Sequence, residues 1–376
     1  MSRTTTIGQI CRVITGKLDA NASSQNGAYP FFTCSINPLR IDTFAYDLEC
    51  VLIAGNGDLN VKYYKGKFNA YQRTYIVSLK DGVNDVSVKF LHAFFLLYVD
   101  VLRKKSVGST IKYIRLGDIT EAAIVIPSLS EQQRFVDILD QEFAKIDALK
   151  ANAEKSLQNA KDLFQAALKK ELEPKKGWFA AQLKDIATIR PPKKEVNTLP
   201  MDLPVSFLPM EDLGIMDFGI TCTKTKTLGE LVGSYTYFAE GDVLLAKVTP
   251  CFENGKQGIA RHLSNGIGFG SSEYIVYRPG KQVYAEFLYY FLATKEFHDK
   301  GRKQMHGACG LKRLSKEIAE QSIISFPDIE EQKAISMRIR ETERLSLKLQ
   351  ENYQKTLTLC DDLKQALLRK AFNGAL

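Results

Sequence analysis

Two stretches of the chain carry apolar residues at helical spacing for much longer than an ordinary globular helix. Phe135, Leu139, Phe143, Ile146, Leu149, Ala153, Leu157, Ala160, Leu163 and Ala167 recur mostly at steps of three and four. Ile335, Ile339, Leu345, Leu349, Tyr353, Leu357, Cys360, Leu363 and Leu367 do nearly the same further on. Pro127-Ser128-Leu129-Ser130-Glu131-Gln132 precedes the first stripe and Pro327-Asp328-Ile329-Glu330-Glu331-Gln332 the second, so helices are expected to begin near 130 and 330. Forty-odd residues at about 1.5 Å each span on the order of 60 Å. A lone helix cannot bury so long a stripe, and the pattern predicts that the two helices pair. Leu139, Phe143, Ile146, Leu149, Leu157 and Leu163 are expected to pack against Ile339, Leu345, Leu349, Leu357, Leu363 and Leu367.

The stretches between read differently. Residues 1–125 and 177–325 hold short apolar runs such as Tyr75-Ile76-Val77 and Tyr274-Ile275-Val276 between turn residues, the pattern of mixed α/β globules. The chain therefore divides into a globule over 1–125, a spacer helix over 126–176, a globule over 177–325 and a second spacer helix over 326–376. The helical halves repeat at an offset of 200: Pro127 matches Pro327, Glu131-Gln132 match Glu331-Gln332, and Leu149, Leu157 and Leu163 match Leu349, Leu357 and Leu363. The globules are related more weakly, Ile7-Gly8-Gln9-Ile10 to Leu183-Lys184-Asp185-Ile186 and Val51-Leu52-Ile53-Ala54 to Val243-Leu244-Leu245-Ala246. Conserved helices with diverged globules suggest one shared structural task and two different targets.

Charge narrows what those targets are. The net charge of the 376 residues is +8, of which the first globule carries +5 and the second +2, while the helices are nearly neutral. Such an excess permits a nucleic-acid partner without requiring one. The amino-terminal residues lack an apolar signal core, the longest apolar stretch is interrupted by His92 and Asp100, and seven cysteines form no C-x-x-C pair, which fits reduced thiols in a cytoplasm.

Reading DNA needs donors for phosphates and Arg, Lys, Asn, Gln or Ser at base edges. The densest such cluster runs from Asn56 through Asn60, Lys62, Lys65, Lys67, Asn69, Tyr71, Gln72 and Arg73. Gln72, Arg73 and Asn69 are expected at base edges and the three lysines at phosphates; the competing reading is a hairpin with inward tyrosines and solvated lysines. In the second globule the equivalents are Lys224, Lys247, Lys256, Ser271-Ser272-Glu273, Lys303 and Gln304. Ser271-Ser272-Glu273 is matched to Gln72-Arg73-Thr74, and Glu273 either accepts from a cytosine amino group or caps a turn. Lys112 and the pair Lys312-Arg313 stand at matching places as phosphate clamps or as solvent-facing loop charges.

The motifs of self-contained chemistry are missing. Gly266-Ile267-Gly268-Phe269-Gly270 does not open a helix as a dinucleotide loop does, and Gly55-Asn56-Gly57-Asp58 lacks the G-K-[ST] of a P-loop. Arg190-Pro191-Pro192-Lys193 lacks the amide and aromatic with which amino-methyltransferases hold a base. His306 and Cys309 lack a second pair for a metal, so neither metal nor cofactor is expected.

The order of globule, helix, globule, helix over the whole chain resembles the specificity subunit of type I restriction-modification enzymes. The local matches are the Pro-x-x-x-Glu-Gln openings, the helix ends Leu168-Lys169-Lys170 and Leu368-Arg369-Lys370-Ala371-Phe372-Asn373-Gly374, and the run Gly66 to Tyr75. The resemblance implies an α+β fold with pseudo-twofold internal repeat, in which two target-recognition domains alternate with helices paired as an antiparallel coiled coil. It implies a non-catalytic subunit whose domains each read half of a bipartite, asymmetric site in double-stranded DNA. The helices would set the spacing and dock two methyltransferase subunits, which restriction and translocase subunits join; no membrane is involved. The rival reading is a coiled-coil adaptor whose heads bind protein.

Overall fold

The computed structural model describes residues 2–308 and 310–372. It contains two compact units that cut across the linear order. Met1–Glu154 joins Gln354–Leu376 in the first, and Lys155–Tyr353 forms the second.

The first unit is built on a six-stranded sheet in the order Cys11–Thr15, Thr74–Leu79, Tyr46–Ala54, Val61–Ala70, Tyr29–Phe32, Leu39–Ile41. Alternation along these strands gives the sheet two apolar faces. Val51, Ile53 and Val77 face the helix Val88–Lys105 and the buried Phe90, Leu91 and Phe95, while Cys50, Leu52, Phe68 and Ile76 pack with Phe32 on the other side. A short ribbon, Arg3–Thr6 against Ala123–Ile126, ties the start of the domain to its end.

The second unit repeats this plan with an addition. Ala187–Ile189, Tyr274–Pro279, Val243–Ala246, Gln257–Arg261 and Asp217–Thr221 form its main sheet, and Phe179–Gln182 pairs with Ile323–Phe326 as the closing ribbon. A separate four-stranded sheet of Lys224–Thr227, Pro204–Leu208, Ile267–Gly270 and Thr236–Ala239 has its own core around Val205, Leu228, Leu231 and Phe269. This extra layer explains why the repeat offset drifts, from 176 at Ile7 and Leu183 to 192 at Val51 and Val243 and 200 at Thr74 and Tyr274.

Each unit also contains a pair of helical segments. The long helices are Leu129–Glu171 and Ile329–Phe372. In the first unit Lys150 bonds Asp361 at 2.7 Å and Lys364 meets Asp147; in the second, the Ser346 hydroxyl donates to the Ala160 carbonyl at 2.6 Å and Arg338 meets Glu171 at 2.7 Å. In both, residue numbers rise along one helix as they fall along the other, so the pairing is antiparallel.

The inner seam differs from the expected stripe. The inward positions are Leu139, Phe143, Ile146, Lys150, Ala153, Leu157, Ala160, Phe164 and Leu168, and on the other helix Ile339, Glu343, Ser346, Gln350, Tyr353, Leu357, Cys360, Lys364 and Leu368. The two sets are related by 200. Leu149, Leu163, Leu345, Leu349 and Leu363, expected in the packing, are instead between 37 and 56% exposed. The next residue takes the seam place in each case, polar at Lys150, Ser346, Gln350 and Lys364 and aromatic at Phe164; Lys150 and Lys364 carry their ammonium groups to Asp361 and Asp147.

Candidate nucleic-acid interface

The repeated Glu-Gln pair opens each long helix and does more than start it. Glu131 closes a capping box, accepting from the Ser128 amide at 2.9 Å. Gln132 is fully buried; its amide donates to the carbonyls of Asp85 and Pro127, and its oxygen accepts from the Ser87 amide at 2.8 Å. Gln332 repeats all three bonds with Gln282, Pro327 and Tyr284. A fully satisfied buried amide thus fastens each long helix to the loop that precedes the helix packed on the sheet. The repeat of this Gln in the sequence was visible; its three partners, about fifty residues upstream or at the helix start, were not.

At the far end of each sheet both units build one backbone frame. In the first, the Gly55 amide donates to the Arg73 carbonyl at 2.8 Å, Ile114 donates to Gly55 at 3.0 Å, and Gly57 donates to Lys112 at 3.0 Å. In the second, Lys247 donates to Glu273 at 2.9 Å, Leu314 to Lys247 at 2.7 Å, and Thr249 to Lys312 at 2.9 Å. The strand ladders Val51 to Val77 and Val243 to Tyr277 confirm the register. Glu273 is therefore the counterpart of Arg73, and Ser272 of Gln72, one position away from the match expected from sequence.

The frame brings some predicted residues together and separates others. Gln72 and Arg73 are exposed on the turn, and Asn56 and Tyr71 line an open cleft of about 500 Å³ with Cys34, Asp58 and Ile111. Asn69 is only 4% exposed and its side-chain oxygen accepts from the Ala70 amide, so the expected base contact is corrected to a structural role. The lysines of the strand Val61–Ala70 do not form one patch, because pleating sends Lys62 to one face and Lys65 and Lys67 to the other. Lys62 is held by Asn60, which itself donates to the Cys34 carbonyl at 2.8 Å, and burial pushes the Lys62 ammonium below the usual lysine range. Lys65 pairs with Glu49 at 3.2 Å, and Lys67 lies over the Phe44 ring at 4.7 Å. Lys112 is exposed.

In the second unit Glu273 is gripped through both oxygens by Arg313, at 2.9 and 2.7 Å, and the adjacent guanidinium keeps its carboxyl below the ordinary range. The carboxylate that was expected to meet a cytosine or cap a turn instead orients an arginine. Lys247 donates to the Ser272 carbonyl at 2.8 Å and Lys256 to the Met210 carbonyl at 2.9 Å, so both brace loops. Ser271 is half-buried and its hydroxyl accepts from the Glu273 amide, while Ser272 is exposed. Lys224 is exposed and paired with Asp212 at 2.6 Å; Lys303, Gln304 and Lys312 are exposed. His306 is exposed, Cys309 lies outside the described residues, and no group of metal ligands assembles among the described residues.

Two versions of one domain, each presenting different side chains on the same pinned turn, define a duplicated recognition protein. The family model for the type I restriction modification DNA specificity domain matches residues 2–159 and again 175–359. Over its whole length the chain is 28% identical to the specificity subunit of the type I restriction enzyme EcoDI of Escherichia coli, covering 88% of that protein. The EcoEI specificity subunit of the same organism is 32% identical over 200 residues, 53% of this chain and 31% of that protein. Among solved structures, all of the chain matches one from work on complex assembly and conformational transition of the type I R-M system, at TM-score 0.72 and 17% identity over 98% of that chain. It also matches the HsdS subunit of Thermoanaerobacter tengcongensis, at 0.53 and 18% over 97%. The chain belongs to the family of type I restriction-modification specificity subunits, which are non-catalytic components.

Proposed function

We propose that each unit reads one half of a bipartite, asymmetric site in double-stranded DNA, with recognition domains over 1–125 and 177–325 and spacer helices over 126–176 and 326–376. The observation that carries this reading is the shared frame with exchanged side chains: Gln72 and Arg73 in one unit stand where Ser272 and Glu273, with Arg313 attached, stand in the other. Identical heads would favour a symmetric site, whereas different side chains on one frame suit two different half-sites. Phosphates fall to Lys112, Lys303 and Lys312, and base edges to Asn56, Tyr71, Gln72, Arg73, Ser272, Gln304 and Arg313.

The helices set the separation and dock two methyltransferase subunits, to which restriction and translocase subunits are added. Leu149 with Leu349 and Leu163 with Leu363 support the docking, since these exposed leucines recur at one offset and so offer two equivalent apolar places. No helix among the described residues is long and apolar enough to cross a membrane, and the described cysteines are free; a complex acting on chromosomal DNA in the cytoplasm accords with both.

Coexpression with the neighbouring methyltransferase in an unmethylated host, followed by mapping of methylated adenines, tests the reading. A single split motif with a fixed gap is expected, with Gln72→Ala or Arg73→Ala relaxing one half and Arg313→Ala the other. A stable complex that leaves no motif would establish the rival, a protein-binding adaptor.

A further inference from the structure

Beside each pinned turn stands an arm whose apolar tip has no part in the reading proposed above. In the first unit Val107 and Tyr113 exchange backbone hydrogen bonds at 3.0 and 2.9 Å, and the Tyr113 backbone also bridges to Asn56. In the second, His306–Ala308 pairs with Leu311–Arg313, and the base of the arm is held at Thr249 and Lys247. Each arm is closed by a glycine no other residue can replace. Gly108 has φ +117° and a Cβ there would lie 2.4 Å from the Ile111 carbonyl oxygen; Gly307 has φ +153° and would place one 2.1 Å from that of Leu311.

At the same position on both arms an apolar side chain is turned out to solvent, Ile111 at 61% and Leu311 at 49% exposure. The chain on either side of each is strongly basic. From 101 to 117 the chain carries five basic residues and no acidic one, and from 300 to 316 six and none. Lys112 and Lys312 follow the two apolar residues directly and have no ion-pair partner among the described residues. An apolar tip flanked by so many cations is poorly suited to a protein interface, whose core is depleted of charge. It suits a polyanion whose interior is apolar, and a stacked duplex is that.

We propose that Ile111 and Leu311 are wedges that enter a base step beside each half-site, while Lys112 and Lys312 hold the flanking phosphates. This rests on the DNA-reading function above and adds to it a deformation of the duplex. Unstacking one step costs a few kcal/mol and bends the DNA toward more protein surface. A stiff arm is needed for this, because a flexible one would fold aside before the stack opened. The cross-arm bonds provide the stiffness, and the two glycines let the strands of each arm come close enough to make them.

The test uses the full chain in complex with its methyltransferase and a duplex carrying the mapped split motif, with all unread flanking and gap positions made A·T. Permanganate reactivity of thymines reports unstacking, fluorescence transfer between the duplex ends reports bending, and titration reports affinity. The parent complex is expected to bend the duplex and to expose a thymine near each half-site, apart from the thymines opposite the mapped methylated adenines. Ile111→Ala should abolish the signal at one half and Leu311→Ala at the other, each weakening binding about tenfold. Ile111→Leu should retain both, and Lys112→Ala should weaken binding while leaving the bound duplex reactive. Unchanged reactivity and affinity in both alanine variants, or a parent complex that binds without any such thymine, would overturn the wedge and leave DNA reading standing. A parent complex that does not bind the duplex overturns both.

Discussion

Among single residues, Glu343 couples stability to pH near neutrality. It sits on the inner seam at 8% exposure and its carboxylate accepts from the Tyr290 hydroxyl at 3.0 Å. Burial pushes its carboxyl up to about 7, against the bond from Tyr290 and the charge of Arg340. An acid raised in the folded state stabilises most below its unfolded value, near 4.5, and that contribution is lost as pH rises through about 7. The difference is about 3 kcal/mol at most. His298 in the same unit acts oppositely: stacked on Phe252 and pushed down to about 4 by burial, it costs stability as pH falls from 6.5 toward 4. Glu343→Gln should therefore melt higher than the parent at pH 8 and no higher at pH 4.5. Fluorescence of Trp178, which packs on Phe287 in that unit, follows the transition; a constant difference across the range would show that Glu343 stays charged.

At the level of the element, the long helices were legible because periodicity needs no knowledge of partners. Both starts were too, since proline and the capping Ser128-x-x-Glu131 act within one turn. The inner face was read less well. Leu149 and Lys150 lie side by side at the edge of the seam, and hydrophobicity alone chooses the leucine; only Asp361, more than two hundred residues away, makes the lysine the inner residue. Burial by the folded sheet, equally invisible along the chain, takes Asn69 away from a base, and the same blindness to distant partners left Glu273 free of Arg313. It also set Ser271-Ser272-Glu273 one position out of register, since only the strand ladder counts residues. The corrected faces predict a contrast. Leu139→Ala, which opens a cavity, should cost about 2–5 kcal/mol. Leu149→Ala should change melting by less than about 0.5 kcal/mol yet reduce copurification of the methyltransferase. Equal losses of stability would return Leu149 to the seam.

For the whole molecule, the proposed reading makes the gap in the DNA site a property of the helices and not of the heads. Four residues inserted after Ala151 and four after Glu351 add about 6 Å to each helix. The gap between methylated half-sites is then expected to widen by about two base pairs, with both half-sites unchanged; an unaltered gap would dispose of the ruler. Another consequence concerns the order in which the protein is made. The half-buried Phe372 lies against Phe90 and Phe135, and Cys360, Leu368 and Ala371 on the same helix are buried in the first unit. As the ribosome extends the chain, the amino-terminal half emerges first but lacks this lid for some two hundred further codons. It waits with Ala93, Leu139 and their neighbours uncovered, exposed to chaperones and proteases, until the second unit has been synthesised. A premature stop anywhere in the second half would thus be felt first in the half already made.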